Sequence, residues 1–205
     1  MLEGPSDNTG TGFGNTLNIL SLKTKNGQTT TEMGSVAFND VTSGDATNQS
    51  NARTLSELLL TDAGAFRLLF DIAEPGNGAE PITLNALSVT FYAPGDGDPF
   101  ITIGLDPATA PIEFPASAQG TGIDDAVFRL NAAAVAGVQA FFGLIETQPT
   151  NDIQVGAAGK LTNASGGPEA FAASTRAVVP EPGTLAVLGA GLLGLGAFVR
   201  RRSSR

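Results

Sequence analysis

The C-terminal tail is the feature that most constrains this chain. Residues Gly183 to Val199 carry no charge, and Arg200, Arg201 and Arg202 follow them directly. As a helix this stretch would extend about 25 Å, at the short end of what crosses a hydrocarbon core of roughly 30 Å. Clustered arginines favour the cytoplasmic side of a membrane. The tail therefore predicts a transmembrane helix over 183–199, with its C-terminus in the cytoplasm and the rest of the chain outside.

The four residues before the apolar stretch are Val179, Pro180, Glu181 and Pro182. This sequence, the apolar span and the terminal arginines together resemble the PEP-CTERM sorting signal of exopolysaccharide-producing Gram-negative bacteria. The resemblance covers the tail alone, residues 177–205. It implies cleavage near Pro180–Pro182 by a membrane exosortase, and delivery to the cell surface or the extracellular matrix.

The absence of three residue types limits the chemistry of the chain. It contains no cysteine, no histidine and no tryptophan. Without cysteine there is no disulfide framework and no thiol nucleophile. Without histidine the commonest general base near neutral pH is missing, and hydrolytic triads that need it are excluded. We therefore expect a protein that is not an enzyme.

The charges are distributed unevenly along the chain. All twenty acidic residues lie within 1–182, together with seven basic residues, which gives this part a net charge of −13. An acidic body repels nucleic acid and anionic lipid surfaces, so we expect no nucleic-acid partner. It is compatible with neutral polysaccharide and with divalent cations.

The first thirteen residues differ from the start of an exported protein. Such a protein begins with a basic region followed by an apolar one. Residues 1–13 contain neither an apolar run nor a basic residue. We expect a disordered N-terminal segment over 1–13, with the signal peptide encoded upstream of Met1.

Alternating apolar residues predict β-strands through most of residues 14–176. Thr16–Lys23 and Thr29–Phe38 flank the turn signal Asn26-Gly27, which predicts a hairpin. Residues 39–53 are polar and are predicted to form a loop.

Three further runs, Ala65–Ala73, Ile82–Tyr92 and Phe100–Leu105, are separated by Gly/Pro turns and predict an antiparallel meander. The alternation slips at Ala86-Leu87, which predicts a β-bulge there.

Two segments carry helix signals. Thr54 and Glu57 have the spacing of a capping box, ahead of a stretch too short for more than a turn or two. Asn131 is a suitable N-cap for a helix over Ala132–Phe142, with Gly143 as its stop. The pattern as a whole predicts a mainly β fold, an antiparallel, jelly-roll-like β-sandwich over 14–176 with one short helix.

The turn between two predicted strands contains Asp96 and Asp98. Clustered carboxylates suit calcium, although the spacing of an EF-hand is absent and a plain acidic turn is the alternative. We expect no other cofactor.

These observations favour an exported surface or extracellular-matrix protein with a structural or adhesive role associated with exopolysaccharide. The alternative is a calcium-assisted carbohydrate-binding module. The expected partners are an exosortase, the membrane through the C-terminal helix, and exopolysaccharide.

Overall fold

The computed structural model describes residues 1–6, 16–24, 31–72, 81–95, 97–114, 126–144, 153–164 and 168–175. The chain divides into two units, Met1–Thr175 and Arg176–Arg205, and every described residue belongs to the first.

Twelve strands and two α-helices are found among the described residues. The strands are β1 (Leu2–Ser6), β2 (Thr16–Leu22), β3 (Thr31–Ala37), β4 (Val41–Gly44), β5 (Arg53–Thr54), β6 (Phe66–Asp71), β7 (Ile82–Tyr92), β8 (Pro99–Gly104), β9 (Ile112–Phe114), β10 (Ala126–Leu130), β11 (Gln154–Thr162) and β12 (Glu169–Thr175). The helices are α1 (Leu55–Leu58) and α2 (Ala132–Leu144), and two 3₁₀ turns cover Phe38–Asp40 and Ala63–Ala65.

The strands form two antiparallel sheets. A five-stranded sheet has the order β1-β10-β6-β12-β2, and a seven-stranded sheet has the order β4-β3-β11-β7-β8, with β5 on β11 and β9 on β7. The predicted mainly β, antiparallel architecture is confirmed.

Phenylalanine rings from both sheets meet in one core. Phe70 of β6 stacks on Phe171 of β12, with 4.5 Å between ring centroids, and meets the edge of Phe114 from the opposite sheet at 5.2 Å. Phe66 and Phe91 likewise join the two sheets at 5.8 Å. Because the inner faces share one hydrophobic cluster, the sheets face each other as a sandwich.

Strand β7 shows how the sequence pattern sets the two faces. Leu87, Val89 and Phe91 are buried, whereas the residues between them point outward. Opposite it, Lys160 pairs with Ala86 and Leu161 with Leu84, so Asn85 is the extra residue. The predicted bulge is thus present, one position before the predicted site.

Both predicted helix caps are present. The Thr54 hydroxyl accepts a hydrogen bond from the Glu57 N–H at 3.1 Å, and the Glu57 carboxylate accepts one from the Thr54 N–H at 2.8 Å. The Asn131 side chain accepts a hydrogen bond from the Ala134 N–H at 2.9 Å. Caps of this kind contribute about 0.5–2 kcal/mol each. Helix α2 ends at Leu144, one residue beyond the predicted stop at Gly143.

The predicted disorder over 1–13 is wrong for Leu2–Ser6. This segment is strand β1, which pairs with β10, and its Leu2 is completely buried. The segment is held by one core leucine and by pairing with a strand distant in sequence, and neither feature produces a local sequence pattern.

Two of the predicted connections between strands are wrong, whereas the predicted turn between β7 and β8 joins two paired, antiparallel strands. Strands β2 and β3 do not form a hairpin, because β2 pairs with β12 whereas β3 pairs with β11 and β4. Strand β6 lies in the other sheet from β7 and β8, so the three do not form a meander. Turn residues specify a local reversal of the chain, but the reversals after β2 and after β6 carry the chain from one sheet to the other.

The predicted polar loop over 39–53 contains a strand. Residues Val41–Gly44 form β4, whose four residues are all exposed. It lies at the edge of the seven-stranded sheet, where polar side chains suit contact with water. Because β4 buries no side chain at this edge, its sequence lacks the alternation of apolar and polar residues that predicts a strand.

Candidate functional sites

The predicted sorting residues lie outside the described part of the chain. This applies to Val179, Pro180, Glu181 and Pro182, to the basic anchor Arg200, Arg201 and Arg202, and to the predicted transmembrane helix over 183–199. Among the described residues, no helix has both the length and the apolar character needed to span a membrane.

The predicted calcium pair is described only in part. Asp96 lies outside the described residues, whereas Asp98 is in the turn between β7 and β8, where its carbonyl accepts a hydrogen bond from the Ala93 N–H at 3.0 Å. Gly95 and Gly97 have φ angles of +96° and +73°, which glycine tolerates best. Within the described ranges no three acidic side chains are grouped closely enough to hold a metal ion. Calcium binding remains a prediction.

A feature that the sequence analysis missed is a groove on the outer face of the seven-stranded sheet. It has a volume of about 420 Å³ and is open to solvent. Its floor and sides include the outward side chains of four neighbouring strands, namely Met33, Ser35, Ser43, Ser88, Ala158 and Lys160. We refer to it as the outer groove.

The register of the sheet explains the shape of the outer groove. Ser43, Ser35, Ala158 and Ser88 lie side by side on β4, β3, β11 and β7. This row spans about 14 Å at the usual spacing of neighbouring strands. Because all four side chains are small, they form the bottom of the groove. Met33, which is 58% exposed, and Lys160 pair with each other beside the row and stand above it.

The polar groups of the outer groove are mostly hydroxyls. Those of Ser35 and Ser43 hydrogen bond to each other at 2.8 Å, whereas Ser88 makes no side-chain hydrogen bond within the described ranges. Lys160 is the one charged residue among those that line the groove. An ion pair between Arg53 and Glu57, 4.0 Å apart, lies elsewhere. The groove thus presents a nearly uncharged surface on an acidic chain.

An aromatic pair lies further along the same face. Tyr92 covers Gly156, since a Cβ atom at Gly156 would lie 3.0 Å from the Tyr92 ring, and the ring of Phe38 is 6.2 Å away. Burial raises the pKa of the Tyr92 phenol above its ordinary value, and a hydrogen bond with Thr90 acts in the opposite direction. The phenol is therefore neutral at physiological pH.

Comparison with known families identifies the tail. The family model of the PEP-CTERM protein-sorting motif matches residues 178–202, which confirms the resemblance of Val179–Pro182 and the arginine cluster. Comparisons with curated proteins and with solved structures give no match. The chain carries a PEP-CTERM sorting motif, which marks a protein that an exosortase exports to the cell surface.

Proposed function

We propose that this protein is a non-enzymatic component of the bacterial surface or extracellular matrix, with a structural or adhesive role in association with exopolysaccharide. The observation that carries the proposal is the sorting motif at residues 178–202. The acidic chain, with a formal net charge of −9, supports it, because such a chain is repelled by nucleic acid and by anionic lipid.

The route to the surface passes through the membrane. Residues 183–199 form a transient single span, and Arg200–Arg202 keep its end in the cytoplasm. Pro180 and Pro182 favour an extended backbone on the outer side, which suits a protease cleft. Exosortase cleavage there releases the β-sandwich.

Two sets of variants test this route. Replacement of Pro180-Glu181-Pro182 by three alanines blocks release but not insertion, so full-length protein accumulates in the membrane fraction. Replacement of Arg200–Arg202 by glutamate disturbs the orientation, whereas the matched replacement by lysine keeps the charge and the processing. Immunoblots of membrane and medium fractions, with intact-mass analysis of the released form, measure the outcome. Normal release of the triple-alanine protein would refute the route.

Co-sedimentation tests the association with exopolysaccharide. The protein is mixed with exopolysaccharide from the bacterium that produces it, centrifuged and quantified in the pellet. Retention that EDTA does not affect supports the proposal. Retention abolished by EDTA and restored by calcium would instead favour the calcium-assisted carbohydrate-binding module, with Asp96 and Asp98 as the residues to replace. No retention would refute the association.

A further inference from the structure

We propose that the outer groove binds a neutral polysaccharide strand, laid across the sheet along Ser43, Ser35, Ala158 and Ser88. This inference rests on the proposed association with exopolysaccharide and assigns it to a site. The site needs no calcium, and it is separate from the turn that holds Asp98.

The charge of the groove favours an uncharged occupant. Among the described residues no acidic side chain lines the groove, and Lys160 is the one charged residue that does. A polyanion would meet a single cation on a chain of net charge −9 and would be repelled over a longer range. A neutral chain meets no such barrier, and the Lys160 ammonium supplies three hydrogen-bond donors to its oxygens.

The depth of the groove favours a ligand with one apolar side and one hydrated side. The floor is made of small residues, so a flat sugar ring can place its C–H groups against Ala158 and the serine Cβ atoms. The Ser88 hydroxyl offers one donor and two acceptor positions, and the Ser35–Ser43 pair still offers one donor besides the one used between them. A lipid chain in an open groove would leave much of its apolar surface in water, at a cost of roughly 25 cal/mol per Å².

Substitutions at matched positions test the assignment. Ala158→Tyr places a ring in the centre of the row, and the control Thr102→Tyr places the same ring on β8, on the exposed part of the sheet outside the lining residues. Ser35→Ala with Ser43→Ala removes two hydroxyls without filling the groove. Lys160→Gln removes the charge and keeps a side chain with two hydrogen-bond donors. Circular dichroism of each variant verifies the fold.

The probe is the neutral fraction of the exopolysaccharide, separated from charged material by anion exchange. Affinity electrophoresis measures its binding to the full chain in a zwitterionic detergent that has no sugar head group. We expect at least tenfold weaker binding for Ala158→Tyr, about three- to tenfold for the double serine variant, and less than a twofold change for Lys160→Gln and Thr102→Tyr.

The outcomes separate this inference from the proposed function. If unfractionated exopolysaccharide retains the parent and Ala158→Tyr equally, the groove is not the site although the association stands. If the parent binds only the charged fraction and Lys160→Gln abolishes that binding, the groove is an anion site and the inference is wrong. If Ala158→Tyr does not fold, unchanged binding of the double serine variant is sufficient to refute the inference.

Discussion

The core ring of Phe70 gives a sharp test of the sandwich. Phe70 is completely buried, stacked on Phe171 with an interplanar angle of 12°, and in edge contact with Phe114 of the other sheet. Replacing a core phenylalanine by alanine removes its transfer free energy and leaves a cavity, at a cost of about 3–5 kcal/mol. Phe70→Ala should therefore lower the free energy of unfolding by that amount.

A matched control separates burial from stacking. Phe100 is also stacked in parallel, on Phe141 at 11° and 3.8 Å, but it is 48% exposed. Phe100→Ala loses about half of the transfer free energy of a fully buried phenylalanine, together with the contribution of the ring pair. The expected loss in the free energy of unfolding is about 1–2 kcal/mol. Urea unfolding of the full chain in mild detergent, followed by circular dichroism, measures both. Equal losses, or a loss below about 1 kcal/mol for Phe70→Ala, would show that the two sheets do not enclose this ring.

Two further predictions use features of the described residues. Gly156→Ala should destabilise the protein, because the new Cβ would clash with the Val36 carbonyl oxygen. Gly143→Ala in α2 meets nothing within 4 Å and should stabilise the protein by up to about 1 kcal/mol. Unfolding midpoints that shift in the same direction for the two variants would contradict this. Tyr92 is the one tyrosine, so ultraviolet absorbance should show a single phenol titrating above pH 10 and no signal in Tyr92→Phe. Since its pKa is raised on folding, its contribution to stability is present below about pH 10 and is lost as the pH rises through the raised value; a midpoint at or below 10 would refute the burial.

The strands predicted best are those whose own sequence holds the whole signal. Ile82–Tyr92 is a long segment in which buried and outward-facing residues alternate. The break in this alternation is also visible in the sequence, because Leu84 and Leu87 are three positions apart and both point into the core. Strand β1 is not predicted because pairing with the distant β10 holds it in place. Strand β4 is not predicted because it is an exposed edge strand on β3 and has no apolar alternation.

The outer groove could not be predicted for a related reason. Its floor depends on Ala158 lying opposite both Ser35 and Ser88, and a shift of one residue would turn these side chains toward the core. Small residues carry no periodic signal of their own, and sheet membership was not predictable from turns. The sorting motif needed no tertiary structure, because its residues are contiguous in the sequence.

The position of β12 has a consequence for the timing of folding. This strand lies between β6 and β2, and it brings Ala172 beside Asn18, from opposite ends of the folded unit. The five-stranded sheet therefore cannot be completed until residue 175 is available, so closure follows synthesis of nearly the whole unit. Sheets with such distant pairings fold in about milliseconds to seconds, since loop closure is costly before the contacts form. Until β12 has been synthesised, β6 and β2 have no strand between them, and the five-stranded sheet stays in two parts.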